Sequence, residues 1–140
     1  MFLLDTNIVS ELRRPIPHQS TLHWIGRVPA EQLYLSSVTI GEIQAGIEIT
    51  REQDAVKARE LEAWLNGVIA TYHILAVDAA AFREWAKLMH RRSDTLMQDA
   101  MIAAVAIVHR LTVATRNVRD FEHFGVPIVN PFADQRGETG

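Results

Sequence analysis

The chain has 140 residues, a length typical of one domain of about 100–200 residues, and its 48% hydrophobic and 22% charged residues exclude a disordered or fibrous protein. It contains no cysteine, which excludes disulfides, thiolate nucleophiles and cysteine-based zinc sites and suits a reducing cytoplasm, where we expect the protein to act. A net charge of −3 disfavours a broad basic face for unspecific nucleic-acid binding. No membrane segment is expected, because the longest apolar run, Ala100 to Val108, is far shorter than the roughly 20 residues of a membrane span.

Short apolar runs rich in branched side chains alternate with longer helical patterns along the chain. Five such runs predict buried strands: Phe2 to Leu4, Leu33 to Leu35, Ile74 to Val77, Thr112 to Thr115 and Val126 to Val129. Strands that are joined through helices pair in parallel, so this order predicts an α/β domain with three αβα layers around a central parallel sheet. We expect the domain to span residues 1–132 and residues 133–140, which are polar and rich in glycine, to form a flexible tail.

Helical patterns fill the intervals between the predicted strands. An amphipathic pattern from Glu52 to Ala70 predicts one helix, with a buried face formed by Val56, Leu61, Trp64, Leu65 and Val68. Asp78 has the position of an N-cap, and the helix after it is expected to turn Ala81, Phe82, Trp85, Leu88 and Met89 inward. A last long helix is predicted from about Met97 to Arg110.

Four acidic residues fall where the carboxyl ends of the strands are expected. Asp5 directly follows the first strand, Glu42 lies about one turn into the helix after the second, and Asp120 follows the fourth across a short turn. Asp99 lies at the start of the last long helix. This helix must lead back to the beginning of the next strand, so its own start is expected at the carboxyl edge of the sheet. Ligand sites of parallel α/β sheets lie beyond this edge, so we expect the four acids to converge there and call them the acidic rim.

Each acid alone has an ordinary structural interpretation, since Asp99 and Asp120 also suit a helix cap or a turn. Together they are harder to explain, because converging carboxylates repel one another and the only lysines, Lys57 and Lys87, are distant from Asp5 in sequence. Either some of the acids are protonated or divalent cations lie between them. Ligand sets of oxygen alone favour Mg²⁺ or Mn²⁺ over zinc or copper.

The segments that carry these acids recur as a set in one known family. They are Asp5 to Asn7, Ser37 to Glu42 with Gly46 beyond, Asp99 to Ala104 and Thr115 to Phe121, followed by Gly125 to Pro127 and Asn130 to Phe132. In this order and spacing they resemble the PIN-domain ribonucleases, and within these the VapC and FitB toxins of type II toxin–antitoxin operons. The resemblance runs from Met1 to Phe132. It implies a PIN-like parallel sheet of about five strands, an acidic Mg²⁺ or Mn²⁺ site and hydrolysis of RNA phosphodiester bonds.

The resemblance also assigns roles to individual positions. The catalytic, metal-binding acids would be Asp5, Glu42, Asp99 and Asp120. Polar residues beside them would orient the acids and bound water, namely Asn7, Thr115 and Asn117. The implied partners are an RNA substrate and a small VapB-like antitoxin whose C-terminal segment lies over the acidic rim.

Two further expectations come from the residues themselves. Four arginines can either contact the RNA backbone or remain solvated surface: Arg13, Arg14, Arg116 and Arg119. The apolar positions of the two helices that contain Ile43 to Ile49 and Trp64 to Ile69 exceed what one side of a sheet obviously needs. This surplus either faces a second copy, giving a homodimer, or only covers the sheet.

Two other classes of protein fit less well. A receiver-type phosphotransfer domain shares the α/β architecture and an aspartate after its third strand, as Asp78 is here, but it needs paired acids after strand one and a lysine after strand five. Neither feature is present. A catalytically silent PIN-like binding module is the other alternative, and the four intact acids argue against it.

Overall fold

A parallel sheet of very short strands lies at the centre of the protein. The computed structural model describes residues 1–133, and its strands are β1 (Phe2–Leu4), β2 (Leu33–Ser36), β3 (His73–Leu75), β4 (Thr112–Ala114) and β5 (Ile128–Val129). They are all parallel, in the order β3-β2-β1-β4-β5. Phe2 is in register with Leu33 on one side and Thr112 on the other, so the N-terminal strand is the central one. The predicted parallel sheet is confirmed.

Helices cover both faces of the sheet and complete the three predicted layers. Within residues 1–133 they are α1 (Thr6–Leu12), α2 (Gln19–Arg27), α3 (Ser37–Gln53), α4 (Ala55–Thr71), α5 (Ala79–Met89), α6 (Met97–His109) and α7 (Val118–Glu122). Two 3-10 turns, at Ala30–Gln32 and Asp94–Leu96, precede β2 and α6. Among these residues, no helix combines the length and apolar character that crossing a lipid bilayer would take.

Alternating side chains of the strands feed two separate cores. Leu3 packs into one core together with α6, while its neighbour Leu4 packs into the other with Ile8 and Trp24. This alternation follows from the two-residue period of a strand. The buried face of α6 carries small side chains, including Ala103 and Ala106, so this helix lies close to the sheet. Its return toward β4 places its first turn at the carboxyl edge of the strands.

The strand boundaries differ from the predicted ones where the backbone finds other partners. The predicted strand Ile74 to Val77 ends at Leu75, because the N–H of Val77 donates to the hydroxyl of Ser37 at 3.3 Å instead of pairing with β2. The predicted strand Val126 to Val129 begins only at Ile128. Pro127, just before it, has no N–H and contributes only its carbonyl, which accepts from the N–H of Val113 at 2.9 Å.

The predicted helix from Glu52 to Ala70 was wrong at its start. Glu52 belongs to the last turn of α3, and Asp54 interrupts the helical path with φ −151° and ψ 92° before its side chain accepts from the N–H of Lys57. Two residues expected to face inward do not: Val56 is 57% exposed and Phe82 is 46% exposed. Both lie in the first turn of their helices, where the neighbouring elements leave that face uncovered.

The remaining apolar positions of these helices mostly cover the protein's own core. Leu61, Trp64, Leu65 and Val68 pack inward, and Trp64 contacts both the core that contains Leu4 and a smaller one around Ile47. Only Ile49 and Ile69 of the predicted surplus are well exposed, at 66% and 42%. Trp64 is therefore partly buried against the protein's own cores. The predicted tail, apart from Ala133, lies outside the described residues.

Asp78 has the capping contact that its position predicts. Its Oδ1 accepts from the N–H of Ala81 at 3.0 Å. We expect Asp78→Ala to lower the free energy of unfolding by about 1 kcal/mol, because one N–H of the first turn of α5 loses its acceptor. Urea denaturation measures the change, and Asp78→Asn, which keeps an acceptor, is the matched control. Equal stabilities of the alanine variant and the wild type would contradict the capping role.

Candidate active site

Asp5 is a buried carboxylate at the end of the central strand. It is 3% exposed and follows β1 directly, where its side chain caps α1. Oδ1 accepts from the N–H of Thr6 at 2.8 Å, and Oδ2 accepts from the hydroxyl of Thr115 at 2.7 Å and the amide of Asn7 at 3.1 Å. Burial nevertheless raises the pKa of Asp5, and the nearby charge of Asp120 adds to the rise, against the opposing effect of these hydrogen bonds. The three donors therefore fix the orientation of a carboxylate that remains unfavourably charged.

Glu42 carries a buried oxygen without a partner. It lies in the second turn of α3, and among residues 1–133 its Oε1 is the only buried side-chain oxygen or nitrogen for which no hydrogen bond is found. Burial raises the pKa of Glu42 most, and the charges of Asp5 and Asp99 raise it further, while the hydroxyl of Thr6 lowers it. A buried acceptor without a donor is costly in free energy, so this oxygen is suited to a ligand.

Asp99 and Asp120 complete the acidic rim. Asp99 lies in the first turn of α6 and Asp120 in α7. The pKa of Asp99 is raised to about 6, first by burial and then by the charges of Asp5 and Asp120, with a hydrogen bond to Asp120 adding to the effect. The structure thus brings the four predicted acids close enough together that the charges of Asp5, Asp99 and Asp120 raise the pKa values of neighbouring acids in the rim.

Cationic side chains do not neutralise this cluster. None of the four ion pairs formed among the described residues includes an acid of the rim. As the side chains stand, no three histidine, aspartate or glutamate residues within residues 1–133 form a group ready to hold a metal ion. Coordination by three of the acids would therefore require side chains to turn toward the ion. The all-oxygen donor set and the unpartnered Oε1 of Glu42 nevertheless fit Mg²⁺ or Mn²⁺.

The predicted supporting residues contact the rim in different ways. Asn7 and Thr115 bond Asp5 directly, and Thr115 also accepts from the backbone N–H of Asn117 at 2.9 Å. Asn117 is thus linked to the acids through its backbone, and its side chain lines a pocket beside Asp120. Thr6 was missed by the sequence analysis, although its place directly after Asp5, at the start of α1, was a usable signal. Its hydroxyl donates to Thr39 at 3.1 Å and it adjoins Glu42.

Two pockets flank the acids, and three of the four predicted arginines line them. One pocket, of about 410 Å³, is formed by residues 116–120 with Glu122 and Asn130 and includes Arg116 and Arg119. The other, of about 260 Å³, lies between α1, α3 and α4 and includes Arg13 together with Glu42. Arg14 instead forms an ion pair with the buried Glu11, at 3.3 Å.

The raised pKa of Asp99 predicts how stability depends on pH. Because the folded-state pKa is about 6 and the ordinary value is 3.8, this group favours folding below about pH 4, and the contribution is lost as pH rises through 6. Asp99→Asn should therefore raise the melting temperature of EDTA-treated protein at pH 8 and change it little at pH 4. Glu60→Gln, on the exposed side of α4, is the control. A stabilisation that is equal at both pH values would contradict the electrostatic origin.

Comparison with known proteins places the chain in a family. The family model for the PIN domain matches residues 2–126. The chain is 36% identical to the plasmid stability protein StbB of Pseudomonas syringae over 94% of this chain and 99% of that protein. It is 33% identical to the VapC ribonuclease Y4jK of Sinorhizobium fredii, over 94% of this chain and 98% of that protein.

Solved structures agree with the sequence relatives. A chain in the crystal structure of FitAcB from Neisseria gonorrhoeae has a TM-score of 0.85 at 29% identity, with 96% of this chain and 100% of that chain covered. A chain in a toxin–antitoxin complex from Klebsiella pneumoniae has a TM-score of 0.72 at 26% identity, with the same coverage. With a family model that matches most of its length and relatives above 30% identity, the chain belongs to the PIN domain family.

Proposed function

We propose that this protein is a divalent-metal-dependent endoribonuclease that acts in the cytoplasm as the toxin of a toxin–antitoxin pair. The observation that carries the proposal is the buried, unpartnered Oε1 of Glu42, whose pKa is raised by burial and by the charges of Asp5 and Asp99. Such a site is unfavourable when empty and gains from a cation. A relative named a VapC ribonuclease, at 33% identity, supports RNA as the substrate.

In this proposal Asp5, Glu42, Asp99 and Asp120 would hold Mg²⁺ or Mn²⁺. Held by these residues, a divalent ion would supply a lower pKa for bound water and stabilisation of the charge that develops on the phosphate. The chain's own residues prepare the site. Asp5 is held by three donors and so keeps its orientation, which reduces the freedom that a ligand must lose. Asp99, with a pKa of about 6, carries no proton at pH 8 and is then free to act as a ligand.

The alternatives are less well supported. Asp78, the aspartate that a receiver-type domain would phosphorylate, has its side chain engaged in capping α5. A catalytically silent PIN-like module needs no particular arrangement of acids, and it gives no reason for a buried glutamate oxygen without a partner. Cleavage of RNA by the purified protein distinguishes the two PIN-like possibilities.

We expect the purified protein to cleave single-stranded RNA with Mg²⁺ or Mn²⁺ and to lose this activity in EDTA. Asp5→Asn and Glu42→Gln should each reduce kcat by more than about 100-fold, because the ligand set loses a charge where the metal is held. Circular dichroism should show both variants folded. Asp78→Asn is the control that keeps the wild-type rate. Full cleavage by Glu42→Gln, or cleavage that persists in EDTA, would contradict the proposed site.

The proposed partner is a small VapB-like antitoxin, and a homodimer of the toxin is proposed within the complex. Support comes from the similarity to a chain of the FitAcB structure and to a chain of the Klebsiella toxin–antitoxin complex. We expect the product of an adjacent small gene to co-purify with this protein and to suppress its RNA cleavage. Light scattering of the complex should give a mass with two copies of each chain. Cleavage unaffected by every neighbouring gene product would favour a free-standing ribonuclease.

A further inference from the structure

Three side chains form an exposed stack near the acidic rim. The guanidinium of Arg116 lies over the ring of Phe132, 4.7 Å from its centroid, and the ring of His18 lies 5.3 Å from the same centroid at an angle of 50°. Arg116 and His18 are exposed, and Phe132 is partly buried against the core that contains Leu4. We call this group the Arg116–Phe132–His18 stack. Guanidinium and aromatic planes of this kind are the surfaces on which unpaired RNA bases stack.

Hydrogen bonds order the turn that carries Phe132, one member of the stack. The N–H of Phe132 donates to the side-chain oxygen of Asn130 at 2.9 Å, and the N–H of Ala133 donates to the Asn130 carbonyl at 3.1 Å. The next carbonyl, of Pro131, accepts from the buried hydroxyl of Thr21 at 3.5 Å and so ties this turn to α2. A surface that is already ordered loses little conformational freedom on binding.

One side chain connects the stack to the acids. The Oδ1 of Asn7 accepts from the backbone N–H of Arg116 at 3.3 Å, and its Nδ2 donates to Oδ2 of Asp5 at 3.1 Å. The pocket of about 410 Å³ extends from Arg116 to Asp120, with Arg119 exposed on its lining. Its volume lies in the range of about 300–1,000 Å³ that is usual for small-molecule sites. The lining of this pocket therefore joins one member of the stack, Arg116, to one acid of the rim, Asp120.

We propose that the Arg116–Phe132–His18 stack binds the base of an unpaired RNA nucleotide next to the scissile phosphate. The inference rests on the proposed ribonuclease function and adds which part of the substrate is held. The base lies on the exposed planes, and its phosphate enters the pocket that Arg119 and Asp120 line. Because every base has an aromatic face, the stack selects unpaired RNA over a duplex without reading a particular base.

Steady-state kinetics on an RNA that the wild type cleaves at a mapped position test the stack. Arg116→Lys keeps the charge but loses the planar guanidinium, and Phe132→Leu keeps an apolar contact with the core but loses the ring. Each should raise KM by roughly 5- to 100-fold, as removal of a stacking side chain does, and change kcat by less than about twofold. Thermal unfolding checks that both variants remain folded.

The chain offers a matched control. The guanidinium of Arg92 lies over the ring of Phe124, 5.0 Å from its centroid. Phe124 belongs to the core that contains Leu3, not to the one that contains Leu4. Arg92 is not among the residues that line the pocket beside Asp120. Arg92→Lys removes the same kind of contact and should leave KM unchanged.

The salt dependence of KM separates the effect of stacking from the effect of charge. Arg116→Lys should keep the wild-type slope of log KM against log salt, whereas Arg116→Ala should reduce it by about 0.7 if the charge also meets a phosphate.

RNAs with a single abasic nucleotide locate the stacked base. At one position near the cleaved bond, loss of the base should raise the wild-type KM by the same factor as Arg116→Lys. On that substrate Arg116→Lys should cause no further rise. At the other positions the effects of the abasic nucleotide and of Arg116→Lys should multiply.

The outcomes for the stack and for the ribonuclease function are distinct. If the wild type cleaves RNA but Arg116→Lys and Phe132→Leu leave KM unchanged, the stack proposal is wrong and the ribonuclease function stands. If the wild type does not cleave with either metal, the ribonuclease proposal fails. Binding of RNA that contains 2-aminopurine, measured by its fluorescence in EDTA, then tests the stack without catalysis. A fluorescence change that is the same for the wild type and Arg116→Lys overturns the stack proposal.

Discussion

The burial of one carboxylate at the end of the central strand governs the organisation of this protein. Asp5 follows a strand that is paired on both sides, so its side chain cannot avoid the interior. Three donors from two distant parts of the chain, residues 6–7 and Thr115, compensate it only in part, because burial and the charge of Asp120 still raise the pKa of Asp5. The parallel sheet then brings three further acids to the same edge.

The acidic rim illustrates how a stable scaffold carries an unfavourable site. The cores on both faces of the sheet are apolar and fully formed, and α6 lies close to the strands through its small side chains. That packing fixes where Asp99 and Glu42 are, although their mutual repulsion and the unpartnered Oε1 oppose it. Acidic groups that are held in an unfavourable, buried and mutually repelling arrangement are typical of functional sites. Binding of a ligand there recovers the free energy that the arrangement costs.

Much of this arrangement was predictable from the sequence because it depends on local signals. Buried strands are continuous apolar runs, and Asp5 directly follows the first of them, so the sheet and the position of Asp5 emerge without tertiary information. The start of α4 could not be predicted in this way, because Asp54 both ends α3 and caps α4. The pattern of apolar side chains continues across this break between the two helices. Val56 and Phe82 were predicted to face inward but are exposed. The periodicity of apolar residues does not show whether a neighbouring element covers the first turn of a helix.

Contacts between distant segments were beyond sequence patterns altogether. The stack of Arg116 on Phe132 joins two loops, and its position beside Asn7 depends on how the turn at Asn130 meets α2. Likewise, the role of Thr6 beside Glu42 arises from the packing of α1 on α3. Such pairs have no periodic signature, because each depends on the final arrangement of the helices around the sheet.

The pairing of the first strand also has a consequence for how the protein is made. β1 is synthesised before the other strands of the sheet, yet its neighbour β4 and the hydroxyl that holds Asp5 come more than 100 residues later. Pairing over such a separation slows folding, because a long loop must close before the contact is gained. A growing chain on the ribosome therefore cannot assemble the acidic rim until Thr115 and Asp120 have emerged. A polypeptide that ends before Asp120 therefore lacks the complete set of acids.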